Sequence, residues 1–557
     1  MKHHIGWTNV LLLASTVYVQ ANEIQEKDTL TERTVIVENM YTPNIGEAKK
    51  ISLIPPIPEI KSEKKQVSYE TQTPVFGGEF PAYTTGSKGD IPTAPYKRNH
   101  GYLRAGYGNR GNLDSRLHYR ATLYERDVLE ADVRLYGMNG DIKTPAAGGT
   151  WKARTYQTHA QADWKHRWER WEMNMAAGGK SHVFNYWNSP SVSQGRQNIL
   201  TGFAQISANN LLEETPVTFK AGTTLLYARQ KYATDGKNPS EVHLHTEGRF
   251  NLKMDEGAHI TFGLEMDNLF YNIPDKLPEM KNYTSIGLNP AYTLEKDGWK
   301  ARLGLHADIQ TAHGKTLQLA PDIRGEYRLG KKSVLQLDIN GGRTINDFHR
   351  QAILSPYIPY FQPSLPWNKT QQPKNSYTYV NIMGGWKMTP TDGFALNAYA
   401  GYQLTKDQLF GTTNPQTSYN TFTQDDANRV YVGIGARYNY RHLLSTQLKW
   451  QWERWDSEVI DNYITLLPEM SLNWSATFNP IEELHIGLAY TYTRRSKTAE
   501  DWRPEAINNL GANVSYNLLQ GLTIYIKGDN LLAQTYFEHV ACPAQGFNLM
   551  AGAALDF

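Results

Sequence analysis

From Phe547 to Phe557 the chain alternates without a break. Phe547, Leu549, Ala551, Ala553, Leu555 and Phe557 share one face, and Asn548, Met550, Gly552, Ala554 and Asp556 share the other. A strand with one apolar face and one small or polar face suits a wall between hydrocarbon and an aqueous lumen, where side chains point alternately outward and inward. The aromatic Phe557 completes the pattern and reads as the barrel-insertion end of such a wall. After residue 21 no apolar run approaches the roughly 18 residues of a membrane helix, which excludes a helical membrane protein. A closed barrel satisfies its backbone through strand pairing and lives in lipid with only half its wall apolar. The 34 Tyr, 14 Trp and 17 Phe suit aromatic girdles at the two interfaces of such a barrel.

The 57 basic and 55 acidic residues leave a net charge of +2, with the signs intermixed. Nothing in that balance attracts a polyanion, so no nucleic-acid partner is expected. The single Cys542 has no internal disulfide partner, and no pair of cysteines has metal-ligand spacing. Residues 1–21 read as an export signal: Lys2, His3 and His4, then an apolar stretch from Val10 to Val19, then Val19-Gln20-Ala21 as the cleavage pattern. From Asn22 to Tyr96 prolines such as Pro55, Pro56, Pro58, Pro74 and Pro81 sit among Lys, Glu and Thr. That stretch reads as an extended periplasmic segment in which only Thr34–Val37 and Lys50–Ile54 look strand-like.

Residues 97–557 read as the barrel. Period-2 alternation gives about 22 antiparallel strands. In the clearest of them Trp299, Ala301, Leu303, Leu305, Ala307 and Ile309 oppose Lys300, Arg302, Gly304, His306 and Asp308. Tight links such as Glu125–Asp127, Lys296–Gly298, Gly330–Lys332 and Leu519–Gly521 alternate with longer loops near 139–153, 183–198, 344–376 and 531–546. Bacterial barrels show this asymmetry, with tight periplasmic turns and long outer loops, and an even strand count puts both ends of the barrel in the periplasm. Two links are less tidy: 209–216 is long for a periplasmic turn and 311–316 is short for an outer loop.

Gly528-Asp529-Asn530-Leu531-Leu532, then Tyr536, Pro543 and Gly546, then the alternating strand to Phe557, resembles the C-terminal end of TonB-dependent receptors. Met266-Asp267-Asn268-Leu269-Phe270 is a second echo of the same element. The resemblance implies a multi-pass outer-membrane barrel that moves or binds a solute. Members of that family fold a much longer N-terminal plug inside the barrel. Roughly 75 residues separate Asn22 from the first strand here, and Phe547 stands where the family usually has Arg. The expectation is therefore a plugless relative, an all-β transmembrane barrel without a full plug domain, with Glu32–Thr34 as the place to seek a TonB contact.

No phosphate loop, His-Glu-x-x-His element or Gly-x-Ser-x-Gly elbow occurs, so no enzyme, cofactor or metal is signalled. His118, His243, His245, His306 and His485 fall on strands and read as solvated lumen lining. The inward charges say more. Arg116 and Arg120 on the second strand, Glu130, Asp132 and Arg134 on the third, and Lys300, Arg302 and Asp308 on the eleventh form a mixed-sign lumen lining. Such a lining either pairs across the lumen to stiffen the wall or passes hydrated solutes. The clusters Trp164, Trp168, Trp171 and Trp450, Trp452, Trp455 read as interface belts. The loop 344–376 carries Tyr357, Tyr360, Phe361 and Trp367 among prolines, a rigid aromatic surface that is either a packed lid or a binding surface. Two functions stay open: transport or ligand binding through a loop-gated lumen, and a scaffold barrel that docks partners. The partners implied are outer-membrane lipid, the barrel-assembly machinery during insertion, and a periplasmic partner for residues 22–96.

Overall fold

The computed structural model describes residues 100–557 apart from 125, 145–148, 187–195, 212–214, 232–237, 255–256, 275–279, 359–371, 392, 415–419, 499–501 and 541. The expected signal at 1–21, the Pro-rich segment at 22–96 and the plugless lumen all concern residues outside that set.

The first strands are β1 (His100–Gly108), β2 (Leu113–Tyr124), β3 (Asp127–Lys143), β4 (Thr150–Arg167), β5 (Trp171–Asn185), β6 (Arg196–Asn210) and β7 (Val217–Gln230). Then come β8 (Ser240–Lys253), β9 (Ala258–Asn272), β10 (Tyr283–Lys296), β11 (Trp299–Gln310), β12 (Leu317–Arg328) and β13 (Ser333–Thr344). A short helix α1 (Phe348–Leu354) precedes β14 (Ser376–Thr391), β15 (Phe394–Thr413), β16 (Asn420–Tyr440) and β17 (Leu444–Asp456). After α2 (Glu458–Asn462) follow β18 (Pro468–Ile481), β19 (Leu484–Arg495), β20 (Ile507–Leu519) and β21 (Leu522–Asp529). The two-stranded ribbon β22 (Phe537–His539) and β23 (Cys542–Pro543) interrupts the series before β24 (Asn548–Asp556).

Apart from β22 and β23, these strands form one 22-stranded sheet in which each strand pairs with its sequence neighbour. β24 pairs with both β21 and β1, closing the ring. The alternation read from the sequence is the alternation of the wall. Leu303 and Leu305 of β11 point outward and stay 58% and 40% exposed, whereas Asp308 on the inner face is buried. Leu117, Leu225, Phe250, Phe262, Leu319, Leu337, Ile382, Ile434, Val514 and Ile526 are equally exposed around the ring. Leaving such half-exposed side chains in water forfeits about 1 kcal/mol each, summed over the whole ring, so the band demands hydrocarbon around it. This is a multi-pass outer-membrane architecture. Even-to-odd links are the tight ones, so that end is periplasmic; the short link 311–316 remains on the outer side, turning through His313 and Gly314 with positive φ.

Glycines at the seam have a specific purpose. Gly106 of β1 lies opposite Gly552 of β24, and the Tyr525 ring of β21 lies across the space where Cβ atoms on both would stand. Phe557 seats its ring over Gly101 and exchanges backbone hydrogen bonds with it at 2.7 and 2.9 Å. The buried apolar clusters sit at the outer end, where loops pack onto the wall, rather than in the barrel's middle.

Candidate functional site: a loop-sealed mouth over a charged wall

Three outer segments turn inward. Tyr357, following α1, packs with Phe184 of β5, Trp151 of β4, Met138 and Ile142 of β3, and Cys542 of β23. The Phe184 and Tyr357 rings meet edge to face with centroids 4.7 Å apart. Ile358 packs with Leu466 from the β17–β18 link and Val540 from the ribbon. Ser355 donates its hydroxyl to the Val540 carbonyl at 3.2 Å. The fully buried Arg495 of β19 donates to the Phe537 carbonyl at 3.2 Å and to the Leu466 carbonyl, binding ribbon and link to the wall. Burial lifts Glu538 to about 7, with Asp529 adding to it, and depresses His539 to about 4, with Arg495 adding to that. Burial likewise raises the Tyr357 phenol and the Cys542 thiol well above their ordinary values.

The start of α1 is held by charge. Asp347 caps it, accepting from the Arg350 amide at 2.7 Å, and Glu241 of β8 accepts from the Phe348 amide at 3.1 Å. His243 links this helix to the wall: its Nδ1 lies 3.0 Å from Asp347 Oδ2 and its Nε2 2.8 Å from Asp267 Oδ1. His245 Nδ1 lies 2.7 Å from the same Asp267 oxygen. Arg343 donates to Asp267 Oδ2 at 2.7 Å and stands 3.5 Å from Asp308. Burial alone would raise Asp347, but the bond from His243 outweighs it and holds the carboxyl below its usual value. Among the described residues, His243, His245 and Asp267 are the group whose donor atoms could jointly hold a metal ion.

The charge pairs of the expected lumen residues join neighbouring strands, or lie along β3, rather than cross the lumen. Asp132 receives Arg116 at 2.7 Å and Arg134 at 2.5 Å; Arg120 stands 3.4 Å from Glu130. Arg302 meets Asp322 of β12 at 2.8 Å, and Lys300 meets Glu295 of β10 at 3.5 Å. Asp308 alone of the set belongs to the mouth, through Arg343. Of the aromatic loop residues, Tyr357 is buried in the mouth, whereas Tyr360, Phe361 and Trp367 lie outside the described residues. Trp455 departs from its expected belt: it is buried on the inner face with Phe410, Val459 and Ile460, beneath the Arg429 guanidinium at 5.2 Å. Sequence reasoning missed Arg343 as well. Even-numbered Gln336, Asp338 and Asn340 line the lumen along β13, so simple alternation sends Arg343 to lipid, and the register shift between Asn340 and Gly342 brings it inside.

No protein-family model matches the chain, and no curated protein matches it in sequence. Solved structures do match its fold. The FrpB iron transporter of Neisseria meningitidis is 12% identical with a TM-score of 0.66, over 84% of this chain and 83% of that one. The siderophore receptor PirA of Acinetobacter baumannii is 11% identical with a TM-score of 0.64, over 84% and 81%. The copper transporter OprC is 14% identical with a TM-score of 0.62, over 83% and 81%.

Proposed function

We propose that this chain is a transport-class outer-membrane barrel of the TonB-dependent-receptor type, admitting a solute through a mouth that its outer loops close. The carrying observation is the inward seating of α1, Tyr357, Ile358 and the β22–β23 ribbon on the lumen wall. Loops that served only to display a surface to the medium would not bury Tyr357 and Ile358 against strands on the inner face. Transporters and a siderophore receptor among the proteins of like fold support the reading. In this reading Tyr357, with Tyr360, Phe361 and Trp367, belongs to a lid. Arg116, Arg120, Glu130, Asp132, Arg134, Lys300 and Arg302 form the polar wall below it, and Asp308 lies at the closure. Phe557 presents the end recognised by the barrel-assembly machinery, and residues 22–96 reach a periplasmic partner. No catalytic role falls to any residue.

Planar-bilayer recording on the purified chain tests this. The expected result is little conductance from the full chain and large discrete steps once residues 345–375 are shortened to a Gly-Ser turn. A barrel that stays silent after removal of 345–375 and of 22–96 is not a transporter. The scaffold alternative predicts a stoichiometric companion on purification from native membranes, whatever the conductance.

A further inference from the structure

We infer that His243 Nε2, His245 Nδ1 and Asp267 Oδ1 form a binding site for one divalent transition-metal cation at the outer end of the β8–β9 wall. The three atoms lie within 4.8 Å of one another. Their placement is built into the sheet: His243 and His245 stand two apart on one face of β8, and His245 is the direct register partner of Asp267 on β9. Two imidazole nitrogens and one carboxylate oxygen suit zinc, copper, nickel or ferrous iron, and leave calcium and magnesium short of the oxygen ligands they require.

The surroundings are those of a supported site. A metal-binding imidazole characteristically gives its other nitrogen to a carboxylate, which fixes the ring and its tautomer. Here Asp347 stands 3.0 Å from His243 Nδ1, leaving Nε2 directed at the site. The second oxygen of Asp267 is held by Arg343 at 2.7 Å, so Oδ1 alone faces the histidines. Carboxylates stand against both nitrogens of His243, so a cation bound at Nε2 takes the place of a proton there. His245 keeps about a third of its side chain accessible, which gives a small ion a route in and leaves coordination positions for water or a solute.

The ion would also act at a distance from its ligands. It fixes the His243 ring, the ring's far nitrogen holds Asp347, and Asp347 caps α1. Metal at the wall therefore tightens the segment that enters the mouth. This inference stands independently of transport, because a scaffold barrel would bind the ion equally.

The test uses the full chain in detergent, stripped with a chelator and titrated with Zn²⁺, Ni²⁺ and Cu²⁺ by calorimetry, with metal counted by mass spectrometry. One ion per barrel is expected. His245→Ala should weaken binding by roughly tenfold or more. Its partial exposure leaves folding intact, whereas Asp267→Asn also disturbs Arg343. His118→Ala, on a different part of the wall, should bind as the parent does. As a second readout, Zn²⁺ should slow amide exchange across residues 346–355 in the parent and not in His245→Ala. An unmodified chain that retains no ion, or a His245→Ala chain that binds as tightly as the parent, overturns the site and leaves a closed ion-pair network in its place.

Discussion

At the scale of single residues, the barrel's least replaceable side chains include absent ones. A Cβ on Gly552 would meet the Tyr525 ring and the Ala105 carbonyl. Gly552→Val should therefore destabilise the seam by about 1–3 kcal/mol, read as a lower urea midpoint in micelles, and Tyr525→Ala in the same chain should recover part of the loss. An unchanged midpoint would show that the ring moves aside freely. Glu538 supplies the pH-dependent counterpart. Its folded value of about 7 lies above the ordinary 4.5. Its contribution to packing is thus complete below 4.5 and disappears as pH rises through 7, because the charged form is penalised inside the mouth. Asp529 adds to that penalty, and Tyr357, Tyr536 and Cys542 face the same charge. Amide exchange in residues 530–547 should quicken between pH 5 and pH 8 by more than the intrinsic rate change, and Glu538→Gln should abolish the excess.

At the scale of elements, strands were plain in the sequence and their meeting points were not. β11 could be written down residue by residue because alternation is a local property. The same reasoning saw His243 and His245 as solvated lining. Only the pairing register of β8 with β9, and the fold-back of a loop a hundred residues later, shows what they touch. Their spacing, two histidines on one inward face, was the available signal. Arg343 was hidden by a register shift, which no composition rule reports. The ribbon β22–β23 lies inside the long outer loop 531–546 of the sequence reading, since strands of three and two residues carry no periodicity. The helix α1 offers the element-scale test. Asp347→Ala removes the ionic contact to His243 and the cap together, at about 1 kcal/mol for the cap alone, and limited proteolysis should then cut within residues 346–358 faster than in the parent. Equal cutting rates would mean that apolar packing of Phe348, Tyr357 and Ile358 alone retains the segment.

For the molecule as a whole, exposure is inverted relative to a water-soluble protein. The ring presents leucines to its surroundings and keeps Asp132, Asp267, Arg429 and Glu453 inside. Leu303→Arg, on the outward face of β11, should cost about 2–4 kcal/mol if that position lies near the bilayer midplane. Folding yield into liposomes should fall accordingly, while Arg302→Leu on the inner face should alter the wall's charge and leave insertion largely intact. If both substitutions behaved alike, the assignment of faces would be wrong.

The bond between β1 and β24 also sets an order of events. Tyr102 waits for Asp556, and Gly101 for Phe557, so the first strand of the ring is among the last to be satisfied. Until then both open rims of the sheet offer bare amides and carbonyls to any passing chain. The wall therefore hides its last backbone groups only when the ring shuts, and everything upstream depends on that one closing pair of strands.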